Sequence, residues 1–252
     1  MTLLGQAFTD TEVVALYRHR PPYPAAVFDR LRSLIAGPRV ILDAGCGTGA
    51  LARGLVEDVA RVDAIDPSAA MLAAGRALPH GSDPRIHWQR ARAEDARLSG
   101  PYGLITCGAS LHWMQHDVVL PKFRRALAPD ARVAIVDTER QQDEDDLRRA
   151  VVELIVRYSP VQDHVETPDV IDRIVAAGAF VLEGVERTLP VPFDQSVEEY
   201  VGALGSTASL SRATLGPRAD DFARELRALF ARHGIERVRY GVIGYVAWGR
   251  PS

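Results

Sequence analysis

The feature of the sequence that most constrains the fold is a short apolar run that ends in three closely spaced glycines. Residues 40–49 read Val-Ile-Leu-Asp-Ala-Gly-Cys-Gly-Thr-Gly, and a helix-like stretch follows. A short apolar run bounded by turn residues is typical of a buried parallel strand. Alternating glycines let the backbone adopt dihedral angles that other residues avoid, and they let a ligand come close to the main chain. The pattern therefore predicts a strand, a tight turn and a helix, with a ligand at the turn.

Strand-like and helix-like stretches alternate through the first half of the chain, which predicts a parallel sheet with helices on both faces. Strands are expected at residues 39–42, 61–65, 86–89, 103–107 and 132–136, with helices at 49–58, 68–78 and 117–128. Ahead of them, two helices should be broken at residues 20–24, Arg-Pro-Pro-Tyr-Pro, because prolines remove backbone donors. Later helices are expected at residues 143–158, 168–177, 196–204 and 217–233, and later strands at 185–191 and 238–248.

The composition excludes several classes of protein. The net charge is -3 and the isoelectric point is about 6.2, so the chain lacks the positive field that holds nucleic acid by its phosphates. Two cysteines, Cys46 and Cys107, are too few for a disulfide framework, and no acidic pair indicates a metal site. Neither a basic leader nor an apolar run of about eighteen residues occurs. We expect a cytoplasmic protein with no membrane segment and no metal, and a nucleic-acid partner is disfavoured.

Two kinds of ligand fit the glycine turn. Residues 45–50 also satisfy the dinucleotide pattern G-x-G-x-x-G/A, and Asp66 follows about 20 residues later, where such proteins place an acid for the ribose. Asp43 stands two residues before the first glycine, where a carboxylate would repel a pyrophosphate and attract an ammonium group. The position of this acid favours a cofactor that carries an amino-acid ammonium, with NAD(P) as the alternative.

Residues 42–49, Leu-Asp-Ala-Gly-Cys-Gly-Thr-Gly, resemble motif I of the class I S-adenosylmethionine (SAM)-dependent methyltransferases. Residues 64–68, followed by Met71, resemble the end of that family's second strand, whose acid takes both ribose hydroxyls. Asp66 could instead cap the next helix, but Ser68 is equally suited to that position. The resemblance therefore implies that Asp66 binds the ribose.

Two further segments resemble the same family. Residues 92–98 resemble the segment that reads the adenine edge, with Glu94 as the favoured acid. Residues 104–113 resemble strand four and its loop, and their Leu-His-Trp ending is similar to the trans-aconitate methyltransferase-like branch. Residues 17–24 resemble that branch's N-terminal segment, which closes over the cofactor. One departure is at residues 127–132, where Leu-Ala-Pro-Asp-Ala-Arg replaces the common Pro-Gly-Gly turn.

The resemblance implies an α/β, Rossmann-like class I methyltransferase fold with a mostly parallel seven-stranded sheet, an antiparallel last strand and helical cap insertions. It implies a single domain over residues 1–252, a SAM-binding core at 37–137, and acceptor-cap insertions at 139–180 and 193–236. SAM is then the cofactor and S-adenosylhomocysteine (SAH) the product. The cofactor-binding residues would be Tyr17, Arg20, Asp43, Gly45, Gly47, Gly49, Asp66, Pro67, Met71, Ala93, Glu94, Cys107, Gly108 and His112.

The same resemblance implies methyl transfer, and the mildly negative charge favours a small-molecule acceptor, with O-methylation of a carboxylate or hydroxyl preferred. Two alternatives stay open: a methyltransferase that acts on protein or RNA, and a SAM-binding protein without transfer activity. His112 is the candidate catalytic base, because imidazole titrates near neutral pH and its loop should face the methyl group. It could also only shape the pocket. The sequence indicates neither the acceptor nor the oligomeric state.

Overall fold

The structure is a computed structural model that describes residues 4–142, 145–161 and 165–252. The described residues fall into two compact units, and the single methyltransferase domain expected over residues 1–252 stays a prediction. The larger unit contains residues 23–139, 165–189 and 243–252. The smaller unit contains the described residues of 1–22, 140–164 and 190–242. Each unit is therefore assembled from segments that are distant in sequence.

Eight strands of the described residues form one mixed sheet. They are β1 (Val40–Ala44), β2 (Arg61–Asp66), β3 (Ile86–Arg90), β4 (Tyr102–Gly108), β5 (Leu127–Gln141), β6 (Phe180–Arg187), β7 (Val191–Ser196) and β8 (Arg237–Pro251). Their order is β3-β2-β1-β4-β5-β8-β6, and β7 also pairs with β8. The pairs formed among β1 to β5 are parallel, whereas β6 and β7 are antiparallel to β8. The predicted Rossmann-like class, with a mostly parallel sheet and an antiparallel last strand, is confirmed.

The described residues also form ten α-helices. They are α1 (Thr11–Leu16), α2 (Ala25–Leu34), α3 (Ala50–Leu55), α4 (Ala69–Ala77), α5 (His116–Ala126), α6 (Asp146–Tyr158), α7 (Thr167–Ala176), α8 (Val197–Gly205), α9 (Arg212–Leu215) and α10 (Arg218–Arg232). Single turns of 3-10 helix include Tyr17–His19 and Leu111–Trp113. None of the described helices is long and apolar enough to span a membrane.

The strand β7 is the main difference from the expected seven-stranded sheet. It contains Pro192, which has no N–H to donate, so its sequence does not read as a strand. The structure tolerates this proline because β7 pairs only with β8 among the described strands and is an edge strand. Phe193 lies opposite Tyr240 in this pairing. The preceding strand, β6, begins at Phe180, earlier than the expected residues 185–191.

The larger unit buries both faces of its parallel strands. On one face, Leu42, Ile105 and Ile135 pack with α5 and α7. On the other face, Ile41 and Leu104 pack with α2 and α3. Burial on both faces explains why these strands read as continuous apolar runs. It also fixes the carboxyl ends of the strands along one edge, where open α/β sheets bind their ligands.

The smaller unit has a core of its own. Side chains of α6, α8 and α10 pack with β7 and with the beginning of β8, and they include Leu154, Tyr200, Phe222, Leu226 and Tyr240. The expected cap insertions, residues 139–180 and 193–236, overlap this unit only in part. Helix α7 belongs to the larger unit, because Val170 and Ile174 are buried in its core. Residues 143, 144 and 162–164 of the first expected insertion lie outside the described residues.

Candidate active site

The glycine turn between β1 and α3 requires glycine at three positions. The φ angles of Gly45, Gly47 and Gly49 are 69°, 55° and 72°, in the left-handed region that favours glycine. A Cβ atom on Gly45 would lie 2.6 Å from the Cβ atom of Ser110, which is too close for two side chains. At these three positions the turn therefore presents bare main chain at the carboxyl end of β1.

Asp66, at the carboxyl end of β2, holds this turn in place. Its Oδ2 atom accepts a hydrogen bond from the Gly47 N–H at 2.9 Å, and its Oδ1 atom accepts from the Ser68 N–H at 2.8 Å. Burial raises the pKa of Asp66, although the two amides act to lower it. Ser68 caps α4, because its Oγ atom accepts from the Met71 N–H at 3.1 Å. A carboxylate has about four acceptor positions, so Asp66 keeps about two for a vicinal diol.

Asp43, at the carboxyl end of β1, is only 1% exposed. Its Oδ1 atom accepts from the Thr106 hydroxyl at 3.0 Å, and its Oδ2 atom accepts from the Ala52 N–H at 3.1 Å. Burial raises the pKa of Asp43 to about 7, although both hydrogen bonds lower it. Asp43 therefore ties β1 to β4 and α3, and any ligand must reach it at its remaining acceptor positions.

The raised pKa of Asp43 should make the free energy of unfolding decrease with pH. Between its ordinary pKa of 3.8 and its folded-state pKa of about 7, the folded chain keeps a proton that the unfolded chain has lost. The folded state is therefore disfavoured as the pH rises through this window, by on the order of 4 kcal/mol in total. Asp43→Asn resembles the protonated acid, so its stability relative to the wild type should rise with pH. Urea unfolding at a series of pH values measures this difference, and a constant difference would contradict the assignment.

The turn after β3 carries the predicted adenine-binding residues Ala93 and Glu94. Both carboxylate oxygens of Glu94 accept hydrogen bonds from within the chain. The Oε1 atom accepts from the Gln115 N–H at 3.0 Å, and the Oε2 atom accepts from Arg92 Nε at 3.3 Å. Burial acts to raise the pKa of Glu94, but these hydrogen bonds outweigh it and lower the pKa. Lys122 Nζ donates to the carbonyl oxygens of Ala93 at 3.0 Å and Glu94 at 2.8 Å. The turn is therefore fixed from α5 at two points.

The loop after β4 begins with Gly108 and carries His112. A Cβ atom on Gly108 would lie 2.9 Å from the Tyr23 hydroxyl oxygen, so the main chain is closely covered there. The Ser110 hydroxyl donates to the Ala44 carbonyl oxygen at 2.7 Å and ties this loop to β1. His112 is partly exposed in the turn Leu111–Trp113, with its ring 4.6 Å from the Trp113 ring between centroids.

The remaining predicted cofactor-binding residues of the larger unit can contact a cofactor chiefly through their main-chain atoms. Cys107 is fully buried in the core, and Met71 is 2% exposed. Burial raises the pKa of the Cys107 thiol well above its ordinary range, so the thiol stays protonated. The carbonyl oxygen of Pro67 accepts from Arg90 Nε at 3.3 Å. Among the described residues no cluster of three His, Cys, Asp or Glu side chains could hold a metal ion.

Tyr17 and Arg20, the predicted cofactor residues of the N-terminal segment, belong to the smaller unit. The Arg20 guanidinium lies over the Tyr17 ring, 4.3 Å from its centroid. Arg20 also donates to the Ser206 hydroxyl at 2.9 Å and to the Ser206 carbonyl oxygen at 2.8 Å. Within this unit, Arg20 therefore fixes the end of α8.

Three residues of the site were not singled out by the sequence. Thr106 and Ser110 are polar residues in or beside an apolar strand, and that interruption was the available signal. Lys122 carries no local signal, since it lies 28 residues beyond the carbonyl group that it binds in Glu94.

The comparisons with known proteins agree with this geometry. Residues 41–130 match a family described as a methyltransferase domain. An uncharacterized methyltransferase of Mycobacterium tuberculosis is 33% identical over 159 residues, which are 62% of this chain and 63% of that protein. A structure reported as a candidate Type II methyltransferase of Anaeromyxobacter dehalogenans is 27% identical, with a TM-score of 0.68 over 92% of this chain and 97% of that one. A SAM-dependent methyltransferase of Geobacter sulfurreducens, in complex with SAH, has the same fold, at 15% identity and a TM-score of 0.53 over 97% and 98% of the two chains.

Residues 41–130 are thus similar to methyltransferase domains, and the chain has the fold of solved SAM-dependent methyltransferases. The match to a methyltransferase domain supports SAM over the NAD(P) alternative as the ligand of the glycine turn. The chain spans about 63% of the length of the mycobacterial relative that it matches. The residues of the larger unit fit SAM, because Asp66 retains acceptor positions beside a turn that presents main chain at its three glycines.

Lys122→Met should weaken SAH binding about fivefold to twentyfold, because it removes two charged hydrogen bonds from the turn after β3 and keeps the apolar stem of the side chain. Arg124→Met, an exposed substitution on the same helix, is the matched control and should leave the affinity unchanged. Calorimetric titration with SAH gives both dissociation constants. Equal affinities for the two variants would mean that Lys122 does not position the cofactor-binding turn.

Proposed function

We propose that this protein transfers the methyl group of SAM to a small-molecule acceptor, with an oxygen of a carboxylate or hydroxyl as the preferred nucleophile. The observation that carries the proposal is the turn at Gly45–Gly49, held by Asp66 at the carboxyl end of the neighbouring strand. The net charge of -3 gives no support to a nucleic-acid acceptor. The free thiols of Cys46 and Cys107 fit a reducing cytoplasm, where we place the enzyme.

Within this proposal, the carboxyl end of each strand in the larger unit binds a different part of SAM. Asp66 accepts from the ribose hydroxyls, and the main chain at Gly45, Gly47 and Gly49 lies along the methionine part. Asp43 attracts the ammonium group through its remaining acceptor positions. Glu94 and the neighbouring main chain at Ala93 read the adenine edge, and the Glu94 carboxylate does so through the acceptor positions that Gln115 and Arg92 leave open.

SAM, when bound, supplies a methyl group that is already activated on a sulfonium sulfur. The chain therefore needs chiefly to hold the acceptor in line and to exclude water, and orientation of this kind is worth roughly 7–11 kcal/mol in favourable cases. The loop from Gly108 to His112 borders this reaction, since it leaves the carboxyl end of β4 beside the glycine turn. A carboxylate acceptor needs no base, whereas a hydroxyl acceptor must lose a proton.

His112→Gln should lower kcat about 100-fold with a hydroxyl acceptor, because a positioned general base typically contributes about 10²–10⁴-fold. The variant should also lose the part of the pH-rate profile that reflects imidazole titration. His116→Gln is the control, because His116 Nε2 contacts the Leu111 carbonyl oxygen at 3.0 Å. Unchanged turnover with unchanged pH dependence in His112→Gln would mean that His112 is not a base and only shapes the pocket.

The proposal is tested by incubating the purified protein with methyl-labelled SAM and a cell extract, followed by separation into small-molecule, protein and RNA fractions. We expect the label in the small-molecule fraction, where the mass of the product identifies the acceptor. Label in protein or RNA would establish the macromolecular alternative. SAH binding without label in any fraction would favour a SAM-binding protein without transfer activity.

A further inference from the structure

A second group of functional side chains lies in the smaller unit, around Arg140. Arg140 is the penultimate residue of β5 and is exposed to solvent. Its guanidinium carbon lies 5.3 Å from the centroid of the Tyr200 ring and 5.0 Å from the centroid of the Tyr240 ring. Stacking on two aromatic faces restricts the guanidinium, so less conformational entropy remains to be lost on ligand binding.

The guanidinium of Arg140 has unused hydrogen-bonding capacity. Within the described part of the chain, Arg140 forms neither a hydrogen bond nor an ion pair, although it carries five N–H donors. The acid of β7, Asp194, already binds Arg237 at 2.7 Å and Arg239 at 3.2 Å. The positive charge of Arg140 is therefore not balanced by a carboxylate of the described residues.

The two tyrosine hydroxyls add donors to this group. The Tyr240 hydroxyl accepts from Gln195 Nε2 at 3.0 Å, which leaves its own proton available. Among the described residues the Tyr200 hydroxyl has no hydrogen-bond partner, and it is not enclosed. Burial raises the pKa of Tyr240, and the neighbouring Tyr200 raises it further, whereas Arg140 lowers it. The Tyr240 hydroxyl therefore keeps its proton at neutral pH and can donate it.

The buried side-chain amide of Gln195, beside these tyrosines, has an unsatisfied polar atom. Gln195 is 3% exposed, and its Oε1 atom has no partner. Exchanging the amide nitrogen and oxygen would leave Nε2 unpaired instead, so both orientations leave one polar atom unsatisfied. Unsatisfied buried polar groups are uncommon and often mark a functional site. The amide positions the Tyr240 hydroxyl through its Nε2 atom, whereas the unpaired Oε1 atom needs a donor and is not satisfied by an anion.

We propose that Arg140, Tyr200 and Tyr240 form an oxyanion-binding site in the smaller unit, which takes the carboxylate or phosphate group of a small molecule. Such a group supplies the negative charge and the acceptor oxygens that these three side chains lack. A carboxylate or phosphate can also accept two parallel N–H bonds from one guanidinium. Anion binding at this site does not require methyl transfer, so the titration below tests it independently of the proposed function.

The test is a titration followed by the arginine Nε–Hε resonances of protein labelled with nitrogen-15, saturated with SAH so that the cofactor site is filled. The probes are benzoate, phenyl phosphate and neutral benzamide. The Arg140 resonance is identified by its loss in Arg140→Gln. We expect this resonance to shift saturably with benzoate or phenyl phosphate, but not with benzamide, and the tighter of the two anions identifies the preferred group.

The variants distinguish binding at a specific site from a general attraction of anions to positive charge. Tyr240→Phe should weaken anion binding about tenfold, because it removes one hydrogen bond to a charged group. Arg218→Gln is the matched control, because Arg218 lies over Tyr158 at 5.0 Å but the Tyr158 hydroxyl already donates to Glu225. A response to benzamide, no saturable response, or an equal loss in Arg218→Gln would each overturn the proposal.

Discussion

Asp66→Asn should weaken SAH binding about 100-fold or more, since hydrogen bonds to a charged group are worth roughly 1.5–3 kcal/mol each and at least two are affected. The wild-type carboxylate accepts from the amides of Gly47 and Ser68 at the same time. Asparagine has a single acceptor oxygen, so its NH2 group must face one of these N–H donors. The substitution therefore disturbs the glycine turn and also removes the negative charge offered to the ribose hydroxyls. Calorimetry with SAH measures the loss.

Asp63→Asn is the matched control for this effect. Asp63 lies on the same strand as Asp66, and it accepts from the Tyr102 hydroxyl at 2.6 Å and pairs with Arg61 at 3.1 Å. Its loss should reduce the free energy of unfolding, whereas the affinity for SAH should stay within about threefold of the wild type. If Asp66→Asn bound SAH as well as Asp63→Asn does, the ribose role of Asp66 would have to be abandoned.

The parallel part of the sheet could be predicted from the sequence because its signals are local. A strand that is buried on both faces must be apolar along its length, and β1 to β4 lie within two residues of the stretches expected for them. The glycine turn is local as well, since Gly45, Gly47 and Gly49 all need positive φ angles. Strand β5 runs from Leu127 to Gln141, much longer than the expected residues 132–136, because it begins in a segment that contains Pro129 and Asp130 and ends in a polar segment, and neither reads as a strand.

The supporting contacts of the site could not be predicted, because they join residues that are far apart in sequence. Thr106 binds Asp43 across 63 residues, and the Gln115 amide binds Glu94 across 21 residues. No periodicity encodes such a pair, since each partner reads locally as an ordinary polar residue. The second of these contacts fixes the Glu94 carboxylate, together with Arg92, in the turn after β3, where its predicted role toward adenine stays a prediction.

The division into two compact units could not be predicted from the sequence either. The apolar face of α7 reads the same whether it covers a sheet or packs against other helices, and only the structure places Ile174 in the larger core. Similarly, Pro192 makes β7 read as a loop, although an edge strand tolerates proline. Local patterns therefore predict elements more reliably than they predict which core each element joins.

Gly49→Ala should lower the free energy of unfolding by about 2–5 kcal/mol, as the sum of a left-handed backbone conformation, roughly 1–2 kcal/mol, and an overpacked contact, roughly 1–3 kcal/mol. The φ angle of Gly49 is 72°, and its new Cβ atom would lie 2.3 Å from the Trp88 ring. The ring cannot move away freely, because the Trp88 indole N–H donates to the Gly81 carbonyl oxygen at 3.0 Å. Thermal unfolding should show a decrease in Tm of roughly 5–15 °C for a chain of this size.

Gly178→Ala separates the two causes, because Gly178 has a φ angle of 69° but nothing within 4 Å of a new Cβ atom. It should cost only the backbone part, about 1–2 kcal/mol. Combining Gly49→Ala with Trp88→Leu should recover much of the overpacking cost relative to Trp88→Leu alone, since the smaller side chain makes room for the methyl group. Equal losses in Gly49→Ala and Gly178→Ala would show that backbone conformation alone requires glycine at position 49. A larger loss at Gly49, relieved in the double variant, would instead show that the turn is closed against Trp88, which fixes the first turn of α3 beside the cofactor.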